Sequence, residues 1–288
     1  MASINSSKCV LVVLVVGATS GIGQHLALAI LALPSQPTVI IAGRRRARLD
    51  EIVAQNAGTS GGRLRALEMD IDVDAPALER TVASLLEAYP ALDAVIFSAG
   101  IQRELDFAHP AAAGTAASAK TIASFASELN TNYVAIVTMV HLLLPHLLAR
   151  ADGGKGQPGL IVPITSGLAL VSAAWIPGYC ASKAAMHSFS VSLGVQLRGT
   201  GVRVVEILPP IVESELHDHE GTTESLSARW MPLAEFTPLA LAALTDEPRP
   251  DGEGVEAPIG NVQDWYGKWE NGKMGFVNMM AKGRPAKV

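Results

Sequence analysis

Tyr179 and Lys183 stand four residues apart in Tyr-Cys-Ala-Ser-Lys, which puts a phenol and an ammonium on one helix face within reach of a shared ligand. Ser166 precedes Tyr179 by 13 residues, at the end of an apolar run. A free phenol, with a pKa of about 10, is a poor acid or base near neutrality, but a neighbouring cation favours the phenolate. Lys183 is therefore expected to tune Tyr179. In that arrangement Tyr179 protonates a developing alkoxide while the Ser166 hydroxyl holds the carbonyl oxygen. Ser166, Tyr179 and Trp175, which lies between them, are the residues expected to face a substrate. A helix whose Tyr and Lys merely face solvent explains the pair less well, because a second motif stands upstream.

That motif is Gly17-Ala-Thr-Ser-Gly21-Ile-Gly23, placed where an apolar strand hands over to a helix. There the backbone must approach a pyrophosphate closely, and helix N–H groups can face its charge. Gly17, Thr19, Ser20, Gly21, Ile22 and Gly23 are the expected contacts. About 20 residues on, an NAD-binding fold carries an acidic residue for the ribose 2′-hydroxyl. Here that position is Gly43, followed by Arg44 and Arg45. A guanidinium can pair with a 2′-phosphate, so the sequence predicts NADP(H) rather than NAD(H). Oxidised nicotinamide would further favour the Tyr179 phenolate. Arg46 and Arg48 read as a solvated helix start.

These groups need a scaffold, and the hydrophobic pattern supplies one. Strands are predicted over 9–16, 38–42, 63–69, 94–97, 160–165 and 202–208, and helices over 21–33, 47–56, 76–89 and 179–198. A further helical stretch over 118–150 is broken at Asn130–Asn132 and at Pro145. Strands alternating with helices argue for a Rossmann-like doubly wound parallel sheet of six to seven strands in one α/β domain over 1–288. Residues 257–259 offer the seventh strand, and residues from 213 onward read as a substrate lid and C-terminal extension.

Composition narrows the function. The 288 residues are 49% hydrophobic and 17% charged, enough to bury a large core. A net charge of -5, with no dense basic face, argues against nucleic acid. The apolar run 9–16 is far short of the roughly 20 residues of a membrane span, so no membrane partner is expected. Two cysteines, Cys9 and Cys180, and no recognisable leader suggest a reducing cytoplasm. His217-Asp-His219-Glu shows no third ligand at useful spacing and reads as a polar loop, so no metal is predicted.

Together the glycine loop, Ser98-Ala-Gly100, Asn132, Ser166, Tyr179, Lys183 and Pro209 resemble the short-chain dehydrogenase/reductase family, over residues 10–216. The resemblance implies that Asn132 anchors a water in a proton relay to Lys183, and that Lys183 also bonds the nicotinamide ribose. It implies that Asp70 and Ile71 contact adenine, that Ser98, Ala99 and Gly100 line the cofactor floor, and that Pro209, Val212 and Ser214 flank the nicotinamide. Ser98 replaces the family's Asn, and Pro210 the Gly of its Pro-Gly. The expected activity is hydride transfer between NADPH and a carbonyl, alcohol or imine carbon of a small, specialised-metabolite substrate, by a homodimer or homotetramer. The alternative is a redox-neutral isomerase, epimerase or cyclase that retains NADP(H).

Overall fold

The computed structural model describes residues 11–221, 223–245 and 255–282. Cys9, His219's side chain and the start of the first predicted strand lie outside the described residues. Six strands, β1 (Val12–Val16), β2 (Thr38–Gly43), β3 (Leu64–Glu68), β4 (Leu92–Phe97), β5 (Gly159–Pro163) and β6 (Val202–Val204), form one parallel sheet in the order β3-β2-β1-β4-β5-β6. The order reverses beside β1, and ligands of doubly wound sheets lie at the carboxyl ends of strands flanking such a switch.

The sheet is buried on both sides because β1 alternates two apolar sets. Val13 and Val15 join α1 (Gly21–Leu31) through Leu26 and Ile30, while Leu14 and Val16 face the other layer. The helices that follow are α2 (Arg46–Gln55), the short α3 (Ala57–Ser60) and α4 (Ala75–Ala88), the last capped by Asp74, whose carboxylate accepts from Ala77 N. Continuous apolar strands of this kind are what a parallel sheet covered on both faces requires.

The helical stretch beyond β4 differs from expectation at Pro145. α5 (Ala116–Leu129) leads through a π-helical turn (Asn130–Val134) into α6 (Ala135–Ala151), and Pro145 sits inside α6 without ending it. Pro145 and His141 are both exposed, so the carbonyl that proline leaves without a helix partner faces solvent. The break expected at Asn130–Asn132 is the π turn. It belongs to a 39-residue helical run, Ala116–Gly154, that is long and apolar enough by composition to cross a membrane. Met139, Leu143 and Leu147 of that run are instead core residues against the sheet.

α7 (Pro177–Gln196) carries Tyr179 and Lys183 and ends before β6. The single strand expected over 202–208 is two: β6, and β7 (Glu206–Leu208), which pairs in parallel with β8 (Glu256–Pro258). The pairs Ile161 with Val204 and Ile164 with Ile207 keep one register. Between them lies Pro163, which has no N–H for a ladder bond, and the rung is lost there. β8 is the short strand foreseen at 257–259. Beyond β7 come a 3-10 turn (Glu215–Glu220), α8 (Thr223–Ser227), α9 (Leu233–Thr245), α10 (Val262–Trp269) and α11 (Lys273–Lys282). α9 closes the core over α1 with Phe236, Ala240 and Leu244.

Candidate active site

The carboxyl ends of the strands open into a cavity of about 730 Å³. At one end the β1–α1 turn is built for close approach. Gly17 has φ +87° and touches the Ser98-Ala99 backbone, so a Cβ there would lie 2.4 Å from Ala99 N. A Cβ on Gly23 would lie 2.3 Å from the Gly17 carbonyl oxygen. Only glycine fits either position. Thr19, Ser20, Gly21 and Ile22 line the cavity with Gly17, while Gly23 stays buried behind as the packing glycine. The first turn of α1 carries no acidic residue, leaving its N–H end suited to an anion.

At the second strand's end, Arg44 and Arg45 both reach the cavity. Arg44 is exposed, and among the described residues no side-chain bond ties it down. Arg45 is held firmly. Its Nη2 donates to Thr19 Oγ1 at 2.6 Å and Ser20 Oγ at 2.8 Å, and its Nη1 meets Glu215 Oε2 at 2.6 Å. Arg46 and Arg48 are exposed, as expected of a solvated helix start, but Arg48 also pairs with Glu215, a contact the sequence reading did not foresee; among the described residues Arg46 pairs along its own helix, with Asp50. Partial burial works against ionisation of Glu215, but hydrogen bonds from Arg45 and Arg48 outweigh it and hold the carboxyl down at about 2.

Asp70, Ile71, Ser98, Ala99 and Gly100 continue the lining, and Asp70 accepts from Asp72 N at 2.9 Å. Pro209, Val212 and Ser214 line the opposite wall, where the Pro209 carbonyl accepts from Gly167 N at 2.8 Å. The second proline, Pro210, is part of the same wall.

At the far end Ser166, Tyr179 and Lys183 come together. The Ser166 hydroxyl stands beside the phenol and draws its pKa down, and Lys183 Nζ lies 5.5 Å from the Tyr179 ring centroid. Lys183 is buried and donates to the Ile164 carbonyl at 2.9 Å. Burial pulls its pKa down to about 8, opposed by the charge of Glu206. For Tyr179 the expected lowering is not found. Burial pushes the phenol above its ordinary value, and the bond from Ser166, rather than Lys183, is what draws it back. A low-dielectric pocket penalises phenolate more than an ammonium at this distance relieves it.

Asn132 owes its place to the π turn, whose extra residue rotates the side chain inward. It is fully buried, accepts from Ile101 N at 2.9 Å, and donates to Ile101 O at 2.8 Å and Ser182 Oγ at 3.0 Å. A Cβ on Gly100 would sit 3.3 Å from Asn132 Oδ1 and 3.6 Å from Lys183 Nζ, so this glycine leaves the space between the two polar groups open. Asn130 instead binds Asp72 at 2.8 Å.

Trp175 stands at the cavity mouth, 60% exposed. Several lining residues escaped the sequence reading. His217, taken for a solvated loop residue, is buried and hydrogen-bonded to Gln102 at 3.1 Å. Arg229, Trp265 and Glu215 also line the cavity. No local spacing marks them, since each is brought in from a distant segment.

A model of the short chain dehydrogenase family matches residues 11–225. The chain belongs to that family. An uncharacterized oxidoreductase DltE of Bacillus subtilis is 34% identical over 81% of this chain and 84% of its own. The NADP-dependent 3-hydroxy acid dehydrogenase YdfG of Escherichia coli O6:H1 is 30% identical over 70% of this chain and 73% of its own. Among solved structures, a short-chain dehydrogenase from Sphingobium yanoikuyae in complex with NADPH superposes with a TM-score of 0.72 at 21% identity, covering 96% of this chain and 98% of that one. This short-chain dehydrogenase thus has the Rossmann-like doubly wound fold expected from its sequence, with six strands in the main sheet and β8 paired to β7 beside it.

Proposed function

We propose that this short-chain dehydrogenase is an NADP(H)-dependent oxidoreductase acting on a carbonyl, alcohol or imine carbon of a small molecule. The observation carrying the proposal is one continuous cavity with the glycine turn and Arg44 and Arg45 at one end, and Ser166, Tyr179 and Lys183 at the other. The cofactor, when bound, supplies or accepts the hydride. Gly17, Gly21 and the α1 N-terminus would hold its pyrophosphate, Asp70 and Ile71 its adenine, and Arg44 with Arg45 its 2′-phosphate. Pro209, Val212 and Ser214 would bound the nicotinamide beside Ser98, Ala99 and Gly100.

At the reacting end Ser166 orients the substrate oxygen and Tyr179 delivers or removes its proton. A phenol raised above its ordinary value is fully protonated at neutral pH, which suits it to act as the acid in the reductive direction. Lys183 holds a positive charge below pH of about 8 beside that proton path. Asn132 positions the chain between Ile101 and Ser182 and faces the space beside Lys183, where a relay water would sit.

The substrate end is polar as well as aromatic. Gln102, Trp175, His217, Arg229 and Trp265 line it, and Arg229 would attract a carboxylate at its rim. The E. coli relative is named for 3-hydroxy acids, so small oxo and hydroxy acids are the first compounds to test, ahead of neutral specialised metabolites. We further propose that residues from 213 onward act as a lid, and that exposed Ile122, Phe125 and Leu129 of α5 pair two copies of the chain. NADPH consumed against product formed, measured over a panel of oxo acids, ketones and imines, tests the central reading. One NADPH oxidised per carbonyl or imine reduced supports it; conversion without NADPH consumption supports a redox-neutral enzyme instead.

A further inference from the structure

One turn along α7 from Lys183, on the same helix face, lies a cluster of His187, Glu206, Glu256 and Glu270, drawn from α7, β7, β8 and the end of α10. His187 Nδ1 lies 2.9 Å from Glu206 Oε2, and Glu206 Oε1 accepts from Thr165 Oγ1 at 2.5 Å. Glu206 is acceptor only when ionised, so this contact places the ring proton on Nδ1. The Nε2 lone pair then points the other way. There it faces Glu270 Oε2 at 3.4 Å, Glu256 Oε1 at 3.9 Å and Lys273 Nζ at 2.8 Å.

Two features distinguish this cluster from ordinary ion pairing. The Glu256 side chain is 3% exposed, and its Oε1 is buried without a hydrogen-bond partner. Burying a carboxylate oxygen in that state is costly unless a cation meets it. Its other oxygen is already fixed, accepting from Tyr266 Oη at 3.0 Å. His187 is likewise fixed by Glu206, so an imidazole and a carboxylate are each oriented from behind toward one point. Outer partners of this kind orient metal ligands.

The spacing agrees. Two ligands about 2.0–2.2 Å from a tetrahedral Zn²⁺ lie roughly 3.3–3.6 Å apart. His187 to Glu270 is already 3.4 Å and His187 to Glu256 3.9 Å, and the two carboxylates, within 4.8 Å of each other, would close by up to about 1.2 Å on binding the ion. The three ligand atoms lie within 4.8 Å of one another. The nitrogen ligand excludes an all-oxygen Ca²⁺ or Mg²⁺ cage and favours a borderline first-row ion.

We propose that His187 Nε2, Glu256 Oε1 and Glu270 Oε2 form a binding site for one divalent first-row cation, Zn²⁺ foremost, and that Lys273 is the cation it displaces. Lys273 sits 2.5 Å from Glu270 on α11, a helix with no buried residue, so it can withdraw at small cost. One ammonium leaves the three carboxylates of the cluster under-neutralised; a divalent ion balances Glu256 and Glu270 and leaves Glu206 to the imidazole N–H. The ion would tie the end of α10 to α7. α10 also carries Trp265, which packs against Gly167 beside Ser166, so the clamp would fix one wall of the cavity.

The full-length chain, stripped with chelator and then titrated with ZnCl₂, tests this. One equivalent of Zn²⁺ should bind and raise the thermal midpoint. Lys273→Ala, which removes the competing ammonium, should bind Zn²⁺ at least about tenfold more tightly, and Tyr266→Phe about tenfold more weakly because it frees Glu256. Co²⁺ bound at the site should show the ligand-field bands of a four- or five-coordinate nitrogen and oxygen set. No saturable Zn²⁺ binding by either the wild type or Lys273→Ala would overturn the proposal. So would equal Zn²⁺ affinity in the wild type and Glu256→Gln. Should Glu256→Gln fail to fold, the Lys273→Ala titration decides alone.

Discussion

The two parts of the cavity are held together by different physics. From β1 to Pro209 the lining is set by backbone: Gly17 against Ala99, Gly23 against the Gly17 carbonyl, Asn132 clasping both polar groups of Ile101. From Ser214 onward it is set by side-chain pairs across long sequence gaps, such as Glu215 with Arg45 and Gln102 with His217. A backbone contact under 3 Å tolerates no substitution, whereas an exposed ion pair contributes roughly 0.2–1 kcal/mol and can re-form. The first part is a fixed mould and the second an adjustable wall.

That contrast can be broken at its strong end first. Gly17→Val places a branched side chain into the Ala99 backbone at a left-handed φ. NADPH affinity, read by quenching of intrinsic fluorescence, should fall by more than about 100-fold, and near-normal binding would show that the turn is not the mould described. Replacing both Arg44 and Arg45 with Ala should cost about 1.5–3 kcal/mol of NADPH binding, a 10- to 150-fold loss, with little change for NADH. Equal losses for the two cofactors would place the 2′-phosphate elsewhere.

The pH profile sharpens the picture further. Lys183 titrates at about 8, below its ordinary 10.5, because burial disfavours the charged form. NADPH-dependent reduction should therefore decline as pH rises through about 8, and Lys183→Met should lose that limb along with most of its rate. The smallest effect belongs to the adjustable wall. Glu215→Gln removes a carboxylate beside the arginines, and NADPH should bind about 2- to 5-fold more tightly. The stability this carboxylate contributes is fully present above its ordinary 4.5 and is lost as pH falls through about 2, so Glu215→Gln should be less stable than the wild type above pH 4.5, and the difference should shrink to nothing as pH falls towards about 2.

The same contrast explains which parts of the fold and site are legible in the sequence. The alternation of strands and helices along the chain, the glycine turn and the Tyr179–Lys183 spacing are local patterns, and the fold places them where the periodicity predicts. Arg48 and Glu215, 167 residues apart, leave no such pattern. His217 looked like part of a solvated loop because its buried partner, Gln102, comes from the segment after β4. Pro145 misleads in the other direction, since its cost depends on whether the His141 carbonyl faces water. The split of β6 from β7 was legible in principle, in the proline of Leu-Ile-Val-Pro. The phenol's raised pKa was not, because burial is a property of the whole fold.

In the proposed reaction Tyr179 is the group that moves the proton. Tyr179→Phe keeps the ring and loses only the hydroxyl, so it should bind NADPH within about 2-fold of the wild type while turnover falls by about 10²–10⁴-fold. Single-turnover NADPH oxidation in this variant is the direct measurement. A rate near that of the wild type, with binding intact, would contradict the assignment and move the acid to another group in the cavity.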